Sequence, residues 1–305
     1  MPQINEDYCV SYRPKSVGEI VIRDFSFAFP DDIDPKWIPG HLVRSHLFNG
    51  LSLTMPYLEP FLVKTGKESA RHITDPGLLE DIRGFCGQES QHYKCHRRLN
   101  DLLKANGYEE LAEVEARMNA AWQRRMGHTL ESRLAYSAGF ESMTNGFTRW
   151  FIKKRISLFK NADPHITSFW VTHMIEETEH KTVALDCYMA YSGRFWPRFF
   201  GVWRGSFDVL GWGMKAMFVM LKKDGKLKNP LTWLELGREL LSMVYHVGPF
   251  LLRALLPWHD PRNETDPKWM QEWIEGYARM PQDQPLPLID THHPDMPVPF
   301  EATSG

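Results

Sequence analysis

Gln88-Glu89-Ser90-Gln91-His92 and Glu176-Glu177-Thr178-Glu179-His180 repeat one short pattern, a Glu-x-x-His preceded by a polar side chain. Both lie where apolar residues recur at helical spacing. On a helix, residues three apart share a face and sit about 4.5 Å apart along the axis, so a carboxylate and an imidazole converge on one point. That is the geometry of a metal-ligand pair. One copy means little, because with 13 histidines chance alone supplies about one Glu-x-x-His in such a chain. The order of residues carries the weight. Glu59 stands in an earlier helical stretch, Glu89 with His92 in the next, Glu141 in a later one, and Glu177 with His180 after it. Two helices that each give a Glu and two that each give a Glu-x-x-His make the ligand pattern of di-iron carboxylate bundles.

Spacing outward from these residues agrees. Glu59 to Glu89 and Glu141 to Glu177 each suit two antiparallel helices and a short loop, whereas Glu89 to Glu141 needs a longer crossover, which holds the charged stretch around Glu109 to Arg124. The expected fold is therefore all-α: a ferritin-like four-helix bundle with a long crossover and additional C-terminal helices. Helices are expected near 41–65, 76–105, 108–127, 130–160, 164–191, 196–222, 230–256 and 267–277. Asn106-Gly107 and Ser192-Gly193 read as stops, and Asp163-Pro164 reads as a capped start. The expected organisation is an extended N-terminal segment (1–40), a di-metal helical domain with its C-terminal helices (41–260), and a last helix with a proline-rich tail (261–305). Val21 to Phe29 reads as extended coil or a short strand that wraps the bundle. The prolines between Gln282 and Pro299 predict an extended, partly mobile tail.

Four glutamates neutralise two divalent cations, which makes such a centre tolerable in a low-dielectric core, and histidines add affinity without charge. Mixed oxygen and imidazole donors suit two iron ions, with a manganese and iron pair as the alternative; zinc would bind but cannot exchange electrons with dioxygen. His173 sits four residues before Glu177 and shares the face of Glu177 and His180. The pattern His-x-x-x-Glu-x-x-His resembles the extra-histidine di-iron site of p-aminobenzoate N-oxygenase, which implies a seventh ligand at His173. His96, Gln88 and Glu176 are expected to hydrogen-bond ligands from behind. Glu179 reads either as another acid near the metals or as part of a solvated face. Tyr57, Tyr93, Trp170 and Tyr188 read as core packing.

Met55-Pro56-Tyr57-Leu58-Glu59, Phe85-Cys86-Gly87-Gln88-Glu89-Ser90-Gln91-His92, Phe140-Glu141 and His173-Met174-Ile175-Glu176-Glu177-Thr178-Glu179-His180-Lys181 together resemble the bacterial family labelled "predicted metal-dependent hydrolase", from about Val21 to about Asp260. At the first motif Met55 and Leu58 depart from the Phe-Pro start and the glycine before glutamate expected of that family, which leaves Glu59 the least supported ligand.

The rest of the chain bounds the function. Hydrophobic residues make up 43% and charged residues 24%, enough apolar surface for a sizeable core. A net charge of −2 without a long basic run excludes nucleic acid as the expected partner. Met1 to Val10 lacks the basic start and apolar run of a secretory signal, so a cytoplasmic location is expected. Cys9, Cys86, Cys95 and Cys187 show no paired spacing and read as reduced thiols. Phe207 to Leu221 and Leu241 to Trp258 are apolar but interrupted by Lys215, His246 and Arg253, too short to span a bilayer. The expected function is a di-iron oxidase or oxygenase that takes dioxygen, an electron donor and a small apolar organic substrate. Its catalytic set is Glu59, Glu89, His92, Glu141, Glu177 and His180. A dinuclear hydrolase and a non-catalytic iron-binding protein are the alternatives. Phe195 through Trp258 would wall a substrate pocket, pair two copies as a homodimer, or touch a membrane surface.

Overall fold

The computed structural model describes residues 19–281 and 284–300; Cys9 and the stretch Met1 to Val10 lie outside them. Among the described residues the chain is all-helical: α1 (Leu42–Ser69), α2 (Pro76–Ala105), α3 (Leu111–Met126), α4 (Leu130–Phe159), α5 (Pro164–Glu179), α6 (Val183–Tyr191), α7 (Phe195–Lys223), α8 (Pro230–Ala254) and α9 (Lys268–Arg279), with 3-10 turns at Ala70–His72 and Pro261–Asn263. Local chemistry sets the starts. Asp75, Thr129, Asp163 and Asn229 accept hydrogen bonds from first-turn amides, and Pro76, Pro164 and Pro230 sit where an amide would be unsatisfied anyway.

Short turns pair α1 with α2 and α4 with α5, α1 touches α4, and α2 faces α5 through the polar side chains described below. The crossover helix α3 leans on α1 and α7 with Leu111, Val114, Met118 and Trp122, and turns most of its charged face outward. The expected helix 164–191 is two helices. It breaks at His180–Thr182, where neighbouring side chains are drawn to different buried partners: His180 to Gln88, and Lys181 to Asp266 at 2.7 Å.

Pro56 removes the amide that would have bonded the carbonyl of Ser52 within α1. The side-chain amide of Asn100 in α2 takes that carbonyl instead, at 3.0 Å, and so ties the two helices together beside the site. Residues 19–40 form no strand; they run extended across α2 and bury Arg23, Phe25, Phe27 and Phe29 at alternate positions. Gly84 and Gly87 of α2 leave the room that Ile20 and Ile22 fill. The tail is extended as expected, but its described part is docked and not loose. Ile289 donates its amide to Ser168, Asn161 donates its amide to the carbonyl of Thr291, and Arg155 and Trp269 donate to the carbonyl of Met296. Prolines leave few donors of their own, so Arg155 of α4 and Trp269 of α9 supply donors, and Ser168 of α5 accepts one of the tail's remaining amides. No helix among the described residues is long and apolar enough to cross a membrane.

α7 lies against α1 and α4 at backbone distance, because glycines meet at the contacts: Gly213 with Gly50, Gly201 with Ala135 and Gly139, and Gly205 with Tyr136 and Phe140. A Cβ at Gly201 would overlap the carbonyl oxygen of Ala135, whereas one at Gly211 meets open space. Gly201→Ala should therefore lower the thermal midpoint by several degrees, from an overpacking cost of about 1–3 kcal/mol. Gly211→Ala, in the same helix, should leave it unchanged or raise it slightly through helix propensity. Thermal unfolding followed by circular dichroism compares the two.

Candidate metal centre

Glu59 on α1, Glu89 and His92 on α2, Glu141 on α4, His173 and Glu177 on α5 and His180 just past its end are all buried in the middle of the bundle. The pattern Glu89-x-x-His92 spans one turn of α2, which puts both side chains on the face turned to α5. Glu177-x-x-His180 does the same from α5, its imidazole carried by the turn that ends the helix. The structure brings all seven residues together. Their ligand atoms form overlapping groups within 4.8 Å of one another: Glu59, Glu89 and His92; Glu89, Glu141, Glu177 and His180; His92, His173 and Glu177; and Glu59, His96 and His173. Glu59, Glu89, His92, His173 and Glu177 each belong to two of these groups, so the groups form one continuous cluster.

Both carboxylate oxygens of Glu59, Glu89 and Glu141, and Nδ1 of His92, are buried with no hydrogen-bond partner. One such atom costs about 1–3 kcal/mol and an ionised one more, so a cluster of them pointing at one volume calls for a cation there. The imidazoles are turned to match. His92 gives its Nε2 proton to Glu176 at 2.8 Å, which leaves Nδ1 bare toward Glu177 at 3.6 Å. Gln88 spends its amide protons on Glu179 and the carbonyl of Val21, so its oxygen accepts from Nδ1 of His180 at 2.8 Å. The bare Nε2 of His180 then faces Glu177 at 3.2 Å, Glu89 at 3.4 Å and Glu141 at 3.9 Å.

A third chain of donors fixes His173. With its amide protons turned to the Ser52 carbonyl, Asn100 presents its oxygen to the Ser52 hydroxyl at 2.8 Å. That hydroxyl in turn accepts from Nδ1 of His96 at 2.8 Å. Nε2 of His96 accepts from Nδ1 of His173 at 3.0 Å, so Nε2 of His173 is bare beside Glu177 at 2.8 Å. The inward nitrogens of all three site histidines are thus the ones left for a cation; in its absence Nδ1 of His92 has no partner, and Nε2 of His173 and of His180 hydrogen-bond Glu177.

Arg23 organises the layer behind the ligands. Its guanidinium donates to Glu176 at 3.0 Å and to both oxygens of Glu179 at 2.7 and 2.5 Å, and it lies over the rings of Tyr277 at 4.6 Å and Trp273 at 5.4 Å. Glu179 is accordingly a buried partner of Arg23 and no part of a solvated face, and Trp170 stacks on His173. Arg23, Ser52 and Asn100 were missed by the sequence reading. Arg23 had a signal, because it falls in phase with Phe25, Phe27 and Phe29 on the buried side of an extended segment, where an arginine needs an acid.

Burial, reinforced by the charge of Glu177, pushes the carboxyls of Glu59, Glu89 and Glu141 well above the ordinary range. Burial works the same way on Glu177, yet the charges of His180 and His173 and their hydrogen bonds hold it well below that range. Burial, opposed by Arg23, leaves Glu176 at about 7, and burial with the neighbouring His173 drives His92 and His96 well down, toward neutral rings. Beside His173 and Glu177 lies an apolar cavity of about 40 Å³ walled by Leu51, Met55, Phe140, Met143, Phe147 and Val209, among others. It is room for one or two molecules of about water's size.

An all-α bundle with a buried cluster of glutamates and histidines able to hold metal ions defines the class as a helical, metal-dependent protein. The chain belongs to the family described as predicted metal-dependent hydrolase, whose model matches residues 21–265. No curated protein matches the chain. No solved structure matches it either.

Without metal, the native carboxyls with raised values stay protonated where the unfolded chain has already lost those protons, so the native state binds more protons and its stability falls as pH rises above the ordinary carboxylate range of about 4. Metal removes the effect by replacing the protons. Below about pH 6.5 the lowered His92 and His96 work the other way, because the unfolded chain protonates them first, so the fall in urea midpoint of metal-free protein is expected above about pH 7 and not in loaded protein. Arg23→Met, which strands Glu176 and Glu179, should cost about 3–5 kcal/mol in the same titration.

Proposed function

We propose that the cluster holds two iron ions and that the protein is a ferritin-like di-iron oxidase or oxygenase acting on a small apolar organic molecule. The observation that carries this is the agreement of two sets of atoms: partnerless carboxylate oxygens and inward imidazole nitrogens converge in one buried cluster. Glu59, Glu89, His92, Glu141, His173, Glu177 and His180 would hold the two ions between them. Four glutamate charges balance two divalent ions, and the six or seven donors are oxygen and imidazole, the set that suits iron or manganese. Bound iron would supply the electrons with which dioxygen is reduced.

The chain's own groups do the rest. Glu176 and Gln88 keep His92 and His180 in the tautomers that leave their inward nitrogens free, and Arg23 holds Glu176 and, through Glu179, Gln88. The apolar cavity at Glu177 and His173 excludes water and admits a molecule of dioxygen's size; an organic substrate needs the flexible side chains of Met55, Met143 and Met174 to give way. An external electron donor completes the turnover.

A second reading is a dinuclear hydrolase, and the family description favours it directly. There the metal pair would lower the pKa of bound water, and the cavity would take an apolar ester or amide.

Protein freed of metal and loaded with ferrous iron under nitrogen should bind two ions per chain and develop a transient visible absorption when oxygen is admitted. Zinc-loaded protein with esterase or phosphatase activity, and iron-loaded protein inert to oxygen, would overturn the oxidase in favour of the hydrolase. Glu141→Ala and Glu177→Ala should each abolish binding of the pair. His173→Ala should keep the metal and change the rate of the oxygen reaction. Full metal occupancy in both glutamate variants would refute the ligand set.

A further inference from the structure

Helices α7 and α8 pack on the outside of α1 and α4, and among the described residues their far sides are exposed. On α7 those sides carry Trp196, Phe200, Trp203 and Phe207, at spacings of four, three and four residues, with Trp196 63% exposed. On α8 they carry Leu234, Leu241, Tyr245 and Leu252, at spacings of seven, four and seven, with Tyr245 74% exposed. Each set is one helical face. Phe218 and Trp233 meet at a ring separation of 5.9 Å and join the two helices near their connecting turn. Both helices rest on α1 and α4 and touch each other, which places the two faces side by side on the same part of the bundle.

Charge on this surface is sorted by sign. Between Phe195 and Trp258 every exposed charged side chain is basic, including Arg204, Lys215, Lys222, Lys226, Lys228 and Arg238. The acids of the same span are paired: Asp208, its side chain partly exposed, with Arg125, Asp224 with His46 and Tyr108, Glu235 with the amide of Val43, and Glu239 with Arg44. Lys223 is held by Glu109 and Glu110, and Arg253 by Glu264. The chain as a whole is slightly acidic, at −2, so this sorting is local and not a product of composition.

We propose that the α7–α8 face binds the surface of a bilayer rich in anionic phospholipid, with the aromatic and aliphatic side chains entering the headgroup and acyl boundary and the lysines and arginines meeting phosphate. A basic rim around Trp, Phe and Leu is the chemistry of an interfacial helix pair, and the absence of a helix able to cross a membrane among the described residues makes it a surface contact and not a span. A second copy fits less well, since a two-fold dimer through this face sets basic rim against basic rim. Val209, on the inner side of α7, walls the cavity at the metal cluster, so the surface brings that cavity within roughly 10 Å, one helix diameter, of the lipid.

The full chain should sediment with vesicles of phosphatidylcholine and phosphatidylglycerol, less with phosphatidylcholine alone, and less again as salt is raised. The triple variant Trp196→Ser, Phe207→Ser, Tyr245→Ser, altered only at exposed positions and checked by circular dichroism, should lose at least about tenfold in partition coefficient. The triple variant Lys222→Glu, Lys226→Glu, Arg238→Glu should lose the preference for anionic vesicles. Wild-type protein left in the supernatant with both vesicles would overturn the proposal. So would undiminished binding by the first variant, or a dimer in analytical ultracentrifugation that the first variant splits, which would give the face to a second copy.

Discussion

Seven ligand-type side chains cannot sit together in a dry core unless something balances four carboxylates, and most of this architecture answers that one electrostatic demand. Without a cation, protons do the balancing: three of the four carboxyls are pushed up and Glu177 alone is held down by its two histidines. The layer behind cannot help, because it is itself acidic. Glu176 and Glu179 are tolerable there only through Arg23, which makes an extended segment outside the bundle part of the site. The ion pair and the imidazole tautomers are one structure. Arg23 engages Glu176 and Glu179, Glu179 accepts from Gln88, and Gln88 and Glu176 in turn fix His180 and His92.

The same demand explains departures from regular helix. α5 stops at Glu179 because His180 and Lys181 are drawn to different buried partners, and a continuing helix would carry His180 away from the position shared with Glu89 and Glu141. Pro56 leaves a bare carbonyl at Ser52 beside the site, and Asn100 uses it to fix the donor direction that runs through His96 to His173. A helix defect thus becomes the reference point for a proton position some residues away. On the other side, the glycine contacts of α7 close the cavity with backbone rather than bulk, which keeps Val209 near the site.

Much of this was legible in the sequence. The helical class, most helix limits and the residues that meet in the middle follow from a 3.6-residue period and from pairs of ionisable residues three apart, both properties of single helices. What escaped depends on contacts between distant segments. The break at His180 needs the position of Asp266, more than eighty residues on. Asn100 makes sense only once Pro56 is seen to free a carbonyl across the helix pair. The tail reads as loose by composition, and is tied down by donors on α4 and α9 and an acceptor on α5 that no local pattern reveals. Arg23 is the instructive case, since its phase with three phenylalanines was visible and only its acidic partners were not.

The donor set and the cavity bear on the choice between oxygen chemistry and hydrolysis in different ways. A metal pair for hydrolysis needs a polar substrate group and a water beside the ions, with a side chain free to move protons. Here Glu59, Glu89, Glu141 and Glu177 would be spent as ligands, and Glu176 and Glu179 are spent on Arg23, His92 and Gln88. The cavity meets the cluster only at His173 and Glu177, and most of its remaining wall is Leu, Met, Phe, Trp and Val. Such a wall binds dioxygen and hydrocarbon without competing for the glutamates and histidines, and it offers few donors to the charged intermediate of an ester or phosphate hydrolysis: the hydroxyl of Thr144, spent on the carbonyl of Phe140, and the indole of Trp170. The family description favours hydrolysis; the chemistry of the cavity wall favours oxidation, and it is the wall that a substrate would touch.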